Sequence, residues 1–275
     1  MRGLGNTKLW HHSTNSFDQR STNSEIRKSQ PLLVNSFKEL VPIVARIANH
    51  NADHSLFFRG QSKDYLLANG ESSVYPNIFR KQGRSLEKSL LNKRYEKLRL
   101  CSELLLEKVH HLEGLDKLKK FPELQWSILQ HYHVCPTPLL DVTHSLRVAA
   151  SFASIDSRKN GVILVFALPH PQGTITYYTE EEMLNIRLLS ASPYEALRPH
   201  FQEGYLVGTF PSRTDMKHPS LDFAKRLVAK FKINSKSFWD SHFHPIPEGA
   251  LYPANDPLLS ICDEIRATIM HKKSI

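Results

Sequence analysis

Gly161-Val162-Ile163-Leu164-Val165-Phe166-Ala167-Leu168 is the stretch that decides the fold class of this chain. It is a continuous apolar run of strand length. A run without polar alternation has no solvent face, which predicts a strand lying central in a sheet. Just before it, Leu146 to Ile155 predicts a helix, and Thr137-Pro138-Leu139-Leu140 leads into Asp141. Further upstream, His54-Ser55-Leu56-Phe57-Phe58 reads as a short buried strand ended by Arg59-Gly60.

Helical periodicity frames these strands. Ser36-Phe37-Lys38-Glu39 is a capping-box pattern followed by Leu40, Val41, Val44, Ile47 and Ala48 at helical spacing. Residues 61–85 read as irregular, and helices are predicted over about 86–112 and 122–132. Thr179 to Glu182 is a second capping box, predicting a helix to about Leu189. Gly204 to Phe210 reads as another strand. Helices at about 220–231, 236–243 and 257–271 complete the prediction, the last opened by Asp256 as N-cap and Pro257 at N1. This order of elements predicts an α+β fold, a mixed β-sheet core with peripheral helices.

Composition bounds the class. The chain has 275 residues, 40% hydrophobic and 23% charged, enough to bury a core without disulfides or metals. No apolar run approaches the roughly 20 residues that span a bilayer, so no membrane partner is expected. The first thirty residues are Ser/Asn-rich, lack an apolar signal-like segment and predict a polar, flexible tail. Three scattered cysteines, Cys101, Cys135 and Cys262, favour reduced thiols and a cytoplasmic location. The net charge of +9 suits phosphate-bearing partners or simply a solvated basic surface.

Four segments carry a resemblance. They are Phe57-Phe58-Arg59-Gly60-Gln61, then Tyr75-Pro76-Asn77-Ile78-Phe79-Arg80, then Gln130-His131-Tyr132 through Leu139-Leu140-Asp141-Val142-Thr143, and Arg198-Pro199 through Gln202-Glu203-Gly204-Tyr205. In this order, over about residues 35 to 210, they resemble the bacterial FRG domain. The domain is therefore expected over 31–215, with 216–275 a helical extension packed on it. The family usually has Gly where this chain has His133 and often Arg where it has Pro138.

A looser similarity gives the resemblance a chemistry. A strand ending Arg-Gly, a Thr-containing strand end feeding an Ala/Phe-rich helix, and a central apolar strand resemble the arginine-serine-glutamate type of ADP-ribosyltransferase. That similarity implies NAD as substrate and no metal. It implies a cofactor site at Arg59 with Gly60 and Gln61, and catalytic positions at Asp141, Thr143, Gln202 and Glu203; His131 joins the catalytic candidates through its place in the FRG motif, and Tyr132 the cofactor site as a ring able to stack. It further implies a transferase, of the kind found in toxins and antiviral defence. The alternative is a non-enzymatic nucleotide- or nucleic-acid-binding module.

Each residue also has a structural reading. Arg59 suits phosphate through its planar fork, or an ion pair with a buried carboxylate such as Asp141. Asp141 and Thr143 precede a helix and could cap it. Tyr132 suits stacking or a core position equally. His131-x-His133-x-Cys135 has zinc-type ligands, but they align only on a strand, which Pro136 and the helical pattern oppose. Arg80 to Arg99 holds eight Lys/Arg against Glu87 and Glu96, a candidate face for a nucleic-acid backbone.

Overall fold

The structure is a computed structural model and describes residues 1–11, 19–81, 86–110, 115–156, 160–212, 215 and 217–271. From the N-terminus come strands β1 (Leu9–His11) and β2 (Gln19–Ser21), helix α1 (Asn23–Lys28), β3 (Leu32–Val34), α2 (Phe37–His50) and β4 (Ser55–Gln61). The middle holds α3 (Lys88–Lys108), α4 (Leu115–Lys120), α5 (Pro122–His131), β5 (Leu139–Thr143), α6 (Leu146–Ala153) and β6 (Val162–Leu168). Then follow β7 (Ile175–Tyr178), β8 (Met183–Arg187), α7 (Leu188–Ala191), α8 (Arg198–Gln202) and β9 (Gly204–Thr209). The last elements are β10 (Leu227–Ile233), α9 (Glu248–Leu251) and α10 (Pro257–His271). No helix among the described residues is long and apolar enough to cross a membrane.

Eight strands form one sheet in the order β3-β10-β6-β4-β5-β9-β8-β7. Only β3 and β10 run parallel; the other neighbours are antiparallel, so the sheet is mixed and the fold α+β. The apolar run predicts its own place. β6 is third in the order and buried along its whole length. Its alternate residues Ile163, Val165 and Ala167 pack with α2 and α6. Val162, Leu164, Phe166 and Leu168 join Phe57, Ile26 of α1 and Phe223 on the other face.

The sheet is nearly split at its centre. β4 pairs with β6 over seven residues, but with β5 only at Phe58 opposite Thr143. Helix α6 bridges the two halves. Ser145 caps its first turn, accepting from Val148 N, and its small residues Ala149 and Ala153 let it lie directly on the strands. A Cβ at Gly60 of β4 would overlap the carbonyl oxygen of Ala149, and one at Gly161 would overlap that of Ala153. Glycine at both positions is therefore demanded by close backbone approach.

Several expected elements come out otherwise. The helix predicted from Thr179 to Leu189 is the β7–β8 hairpin. Met183 to Ile186 are buried in succession, so both faces are needed in the sheet, and the Thr179–Glu182 box closes a turn with Glu182 N bonded to Thr179 O (3.3 Å). The helix predicted at 220–231 is a pair of 3₁₀ turns followed by β10, which enters the sheet between β3 and β6. The segment read as a helical extension thus supplies an internal strand. No helix forms at 236–243.

The first thirty residues, expected as a polar tail, carry β1, β2 and α1 in their described part. Met1, Leu4, Leu9 and Ile26 are buried. Arg27 reaches Asp222 (3.0 Å) and the carbonyl of Ser72 (3.0 Å), while Asn23 bonds the carbonyls of Ala224 and Leu227 (both 2.9 Å). A few apolar anchors and long-range bonds suffice to dock a segment whose average composition is polar.

Replacement of Gly60 by alanine should lower stability by about 3 kcal/mol, the upper end for overpacking, because backbone rather than a flexible side chain must move. Gly249 in α9 has open space around its Cβ position, so Gly249→Ala should stabilise by about 0.5–1 kcal/mol through helix propensity. Urea-unfolding midpoints test both; an unchanged midpoint for Gly60→Ala would overturn the close-approach argument.

Candidate functional site

Beyond the Phe58–Thr143 pair, β4 and β5 diverge and leave a cavity of about 170 Å³. Arg59, Gly60, His131, Asp141, Thr143 and Gln202 line it, so strand ends about eighty residues apart in sequence share one site. Phe58, Phe152, Tyr205 and Tyr252 add an aromatic wall, and His133 stands at the rim.

Asp141 is the centre of the polar network. Its Oδ2 accepts from Gln130 Nε2 (2.7 Å), whose Oε1 accepts in turn from the Thr137 hydroxyl (2.7 Å). Its Oδ1 faces His131 Nδ1 at 3.4 Å. The Gln-His pair, Thr137 and Asp141 of one sequence motif therefore form one hydrogen-bonded chain. Arg59 donates from one terminal nitrogen to the backbone carbonyl of Asp141 (2.6 Å) rather than to its carboxylate. This replaces a ladder bond that the diverging strands cannot make.

Burial pushes the Asp141 carboxyl up, but the hydrogen bond and charge of His131, the charge of Arg59 and the Gln130 amide more than offset it and hold it at about 2. Burial lowers the Arg59 guanidinium, with the charge of Asp141 opposing. Among the described residues, two buried nitrogens in the lining have no hydrogen-bond partner, Arg59 Nε and His131 Nε2. Unpaired buried donors or acceptors cost stability, so these two nitrogens are available to a partner that enters the cavity.

The remaining candidates divide. Thr143 donates to Glu203 O (3.1 Å) and accepts from Ser145 N (3.0 Å), fixing the turn into α6. Gln202 lines the cavity, but its amide donates to Leu251 O (2.8 Å). Glu203 ends α8 in the left-handed region (φ 44°), is exposed and lies outside the lining. Gln61 bonds Lys63 O (2.8 Å) and is likewise outside. Tyr132 is fully buried beneath the site, its hydroxyl donating to Asp256 Oδ2 (2.7 Å).

That carboxylate also accepts from Leu197 N and Arg198 N, and its other oxygen caps α10 at Leu258 N. Arg198 reaches toward His131 O (3.4 Å) with its guanidinium over the Tyr132 and Tyr252 rings at 5.0 and 5.1 Å. The C-terminal helix is thereby tied to the end of α5 that holds His131. Phe152 and Tyr252 went unread in the sequence: one is an apolar position of a helix, the other lies in a segment without motif. Tyr205 was visible as the last residue of the fourth motif segment.

The three spaced ligand types at 131–135 part company. His131 turns to Asp141, His133 is exposed at φ 56°, and Cys135 is buried. No cluster of three or more His, Cys, Asp or Glu able to hold a metal occurs among the described residues. The basic stretch is also broken up. Arg94 donates to Ile78 O and Arg80 O, and Arg99 pairs with Glu96 and Glu103. Arg84 lies outside the described residues.

The depressed pKa of Asp141 sets a pH signature. Its folded value near 2 lies below the ordinary 3.8, so the charged form contributes about 2 kcal/mol above pH 4. This is lost as pH falls from about 4 to 2. In a pH series of chemical unfolding, the stability difference between wild type and Asp141→Asn should shrink across that window. A difference constant from pH 6 to 2 would contradict the network described above.

No curated protein and no solved structure matches the chain. The family model of the FRG domain matches residues 54–161, from the start of β4 to the glycine before β6. The match takes in Arg59, His131, Asp141 and Thr143, while Gln202, Tyr205 and Tyr252 reach the cavity from outside it. By this match, and with the motif residues converging on one cavity, the chain carries an FRG domain.

Proposed function

We propose that this cavity binds a nucleotide and acts on the N-glycosidic bond of NAD, as an ADP-ribosyltransferase-like enzyme does. The observation that carries the reading is the ionised Asp141 carboxylate in a cavity with an aromatic wall and an incompletely bonded arginine. Breaking the bond between the ribose carbon and nicotinamide leaves positive charge on that carbon, and the bonding electrons depart with nicotinamide. A fixed carboxylate stabilises such an oxocarbenium-like state. The acceptor then contributes a lone pair to the ribose carbon and gives up its proton, which neutral His131 takes at Nε2 while its Nδ1–H points toward Asp141; the imidazolium so formed is the charged state that lowers the Asp141 pKa.

In this reading Asp141 takes the role expected of Glu203, which faces solvent. Phe152, Tyr205 and Tyr252 offer flat surfaces for a ring. Arg59 offers Nε to an oxygen of the ligand. Thr143 and Gln202 shape the cavity, their hydrogen bonds being committed to the fold.

One observation favours a second reading, a non-enzymatic recognition module. Both Asp141 oxygens already have partners within the protein. Incubation with NAD separates the two. Nicotinamide release by wild type, slowed on the order of 100-fold by Asp141→Asn, is the enzymatic outcome. Arg59→Lys should weaken NAD binding with the unfolding transition kept, because a point charge does not replace the planar fork. NAD bound but intact after prolonged incubation would overturn the enzymatic reading in favour of recognition.

A further inference from the structure

The cavity does not end at His133. The same imidazole also lines a second, wider groove of about 600 Å³ with Asn77, Arg80, Lys81, Arg94 and Gln130. Among the described residues, three cations and no carboxylate line this groove. Arg80 is within electrostatic reach of both Arg59 and Asp141, and the basic groove and the cavity share His133 as a lining residue.

The groove is pre-organised. Arg94 donates to the carbonyls of Ile78 (2.6 Å) and Arg80 (2.7 Å), pinning the 3₁₀ turn that presents Arg80. Arg80 itself uses Nε on Tyr75 O (3.1 Å), which orients its guanidinium. Arg80 and Lys81 are otherwise exposed. The residue joining the two spaces is held in the left-handed region that favours glycine, with φ 56° at His133. An imidazole kept there costs backbone strain of about 1 kcal/mol, and such strain clusters at ligand-contacting positions.

We propose that this groove is a phosphate subsite, taking the phosphates of a ligand whose ring end enters the cavity. The ligand class is then a nucleotide carrying a di- or polyphosphate, and Arg80, Lys81 and His133 contact it while Arg94 positions Arg80. Guanidinium and ammonium groups form charge-assisted hydrogen bonds to phosphate oxygens, and a fixed arginine fork adds geometric selectivity. The placement of the ring end rests on the nucleotide reading above; the anion subsite stands on its own residues.

Calorimetric titration with inorganic pyrophosphate tests the subsite without NAD chemistry. Wild type should bind it, and the Arg80→Gln/Lys81→Gln double variant should bind about tenfold more weakly or worse. Lys81→Gln alone, which removes no hydrogen bond of the fold described above, should also weaken binding. Asp141→Asn should bind pyrophosphate no more weakly than wild type, since a neighbouring negative charge is gone. Pyrophosphate binding lost in the double variant, with no nicotinamide released by wild type, upholds the subsite and removes the NAD reading. Absent binding, binding unchanged in the double variant, or capture of single-stranded oligonucleotide but not pyrophosphate would each overturn the subsite.

Discussion

The two halves of the sheet, β3-β10-β6-β4 and β5-β9-β8-β7, touch through one residue pair, Phe58 with Thr143, whereas every other strand junction runs over three or more pairs. One rung cannot keep two half-sheets in register, so other contacts must. Helix α6 leaves β5 and lies against β4 and β6, at a distance that only glycine at 60 and 161 permits. Arg59 supplies a side-chain bond to the Asp141 carbonyl where the backbone has moved out of reach. The opening between the strands is the cavity, so the contacts that hold the sheet together also define the site.

That opening puts a carboxylate in partly desolvated surroundings, which is costly unless its oxygens are bonded and its charge is answered. Gln130, His131 and Arg59 provide for Asp141, and Thr137 fixes the orientation of Gln130. The solution is incomplete by two nitrogens, Arg59 Nε and His131 Nε2. Both face the cavity that the diverging strands open. Asp256, Tyr132 and Arg198 extend the support outward, coupling α10 to the end of α5 that carries His131.

The helix start at Ser36 is a local signal that the fold keeps. Ser36 caps α2 by accepting from Glu39 N (3.0 Å), and the Glu39 carboxylate reaches back to Asn35 N (2.8 Å), one residue beyond the box position. The misreadings at 179–189 and 220–231 have one cause: a helix-compatible sequence whose burial on both faces serves a sheet. Leu227, Ala229, Phe231 and Ile233 alternate with Val228, Lys230 and Lys232, a two-residue period that indicates a strand. Apolar Val228 on the alternate face blurs it, and Lys230 on that face is buried as well, its ammonium bonded to Asp64, Ser72 and the carbonyls of Arg27 and Ser29.

The sequence alone determined the α+β class, the central place of β6, the caps of α2 and α10, and the motif residues Arg59, His131, Asp141 and Thr143. Each depends on periodicity, capping or residue order, which are properties of neighbours along the chain. Tertiary structure decided the rest. It placed β10 inside the sheet, docked the described residues of the N-terminal thirty, turned Glu203 to solvent and brought Phe152 and Tyr252 to the cavity wall. It also joined the basic groove at Arg80 and Lys81 to that cavity through His133. These outcomes depend on contacts between segments tens to hundreds of residues apart, and the burial that rewards them is set by the whole fold.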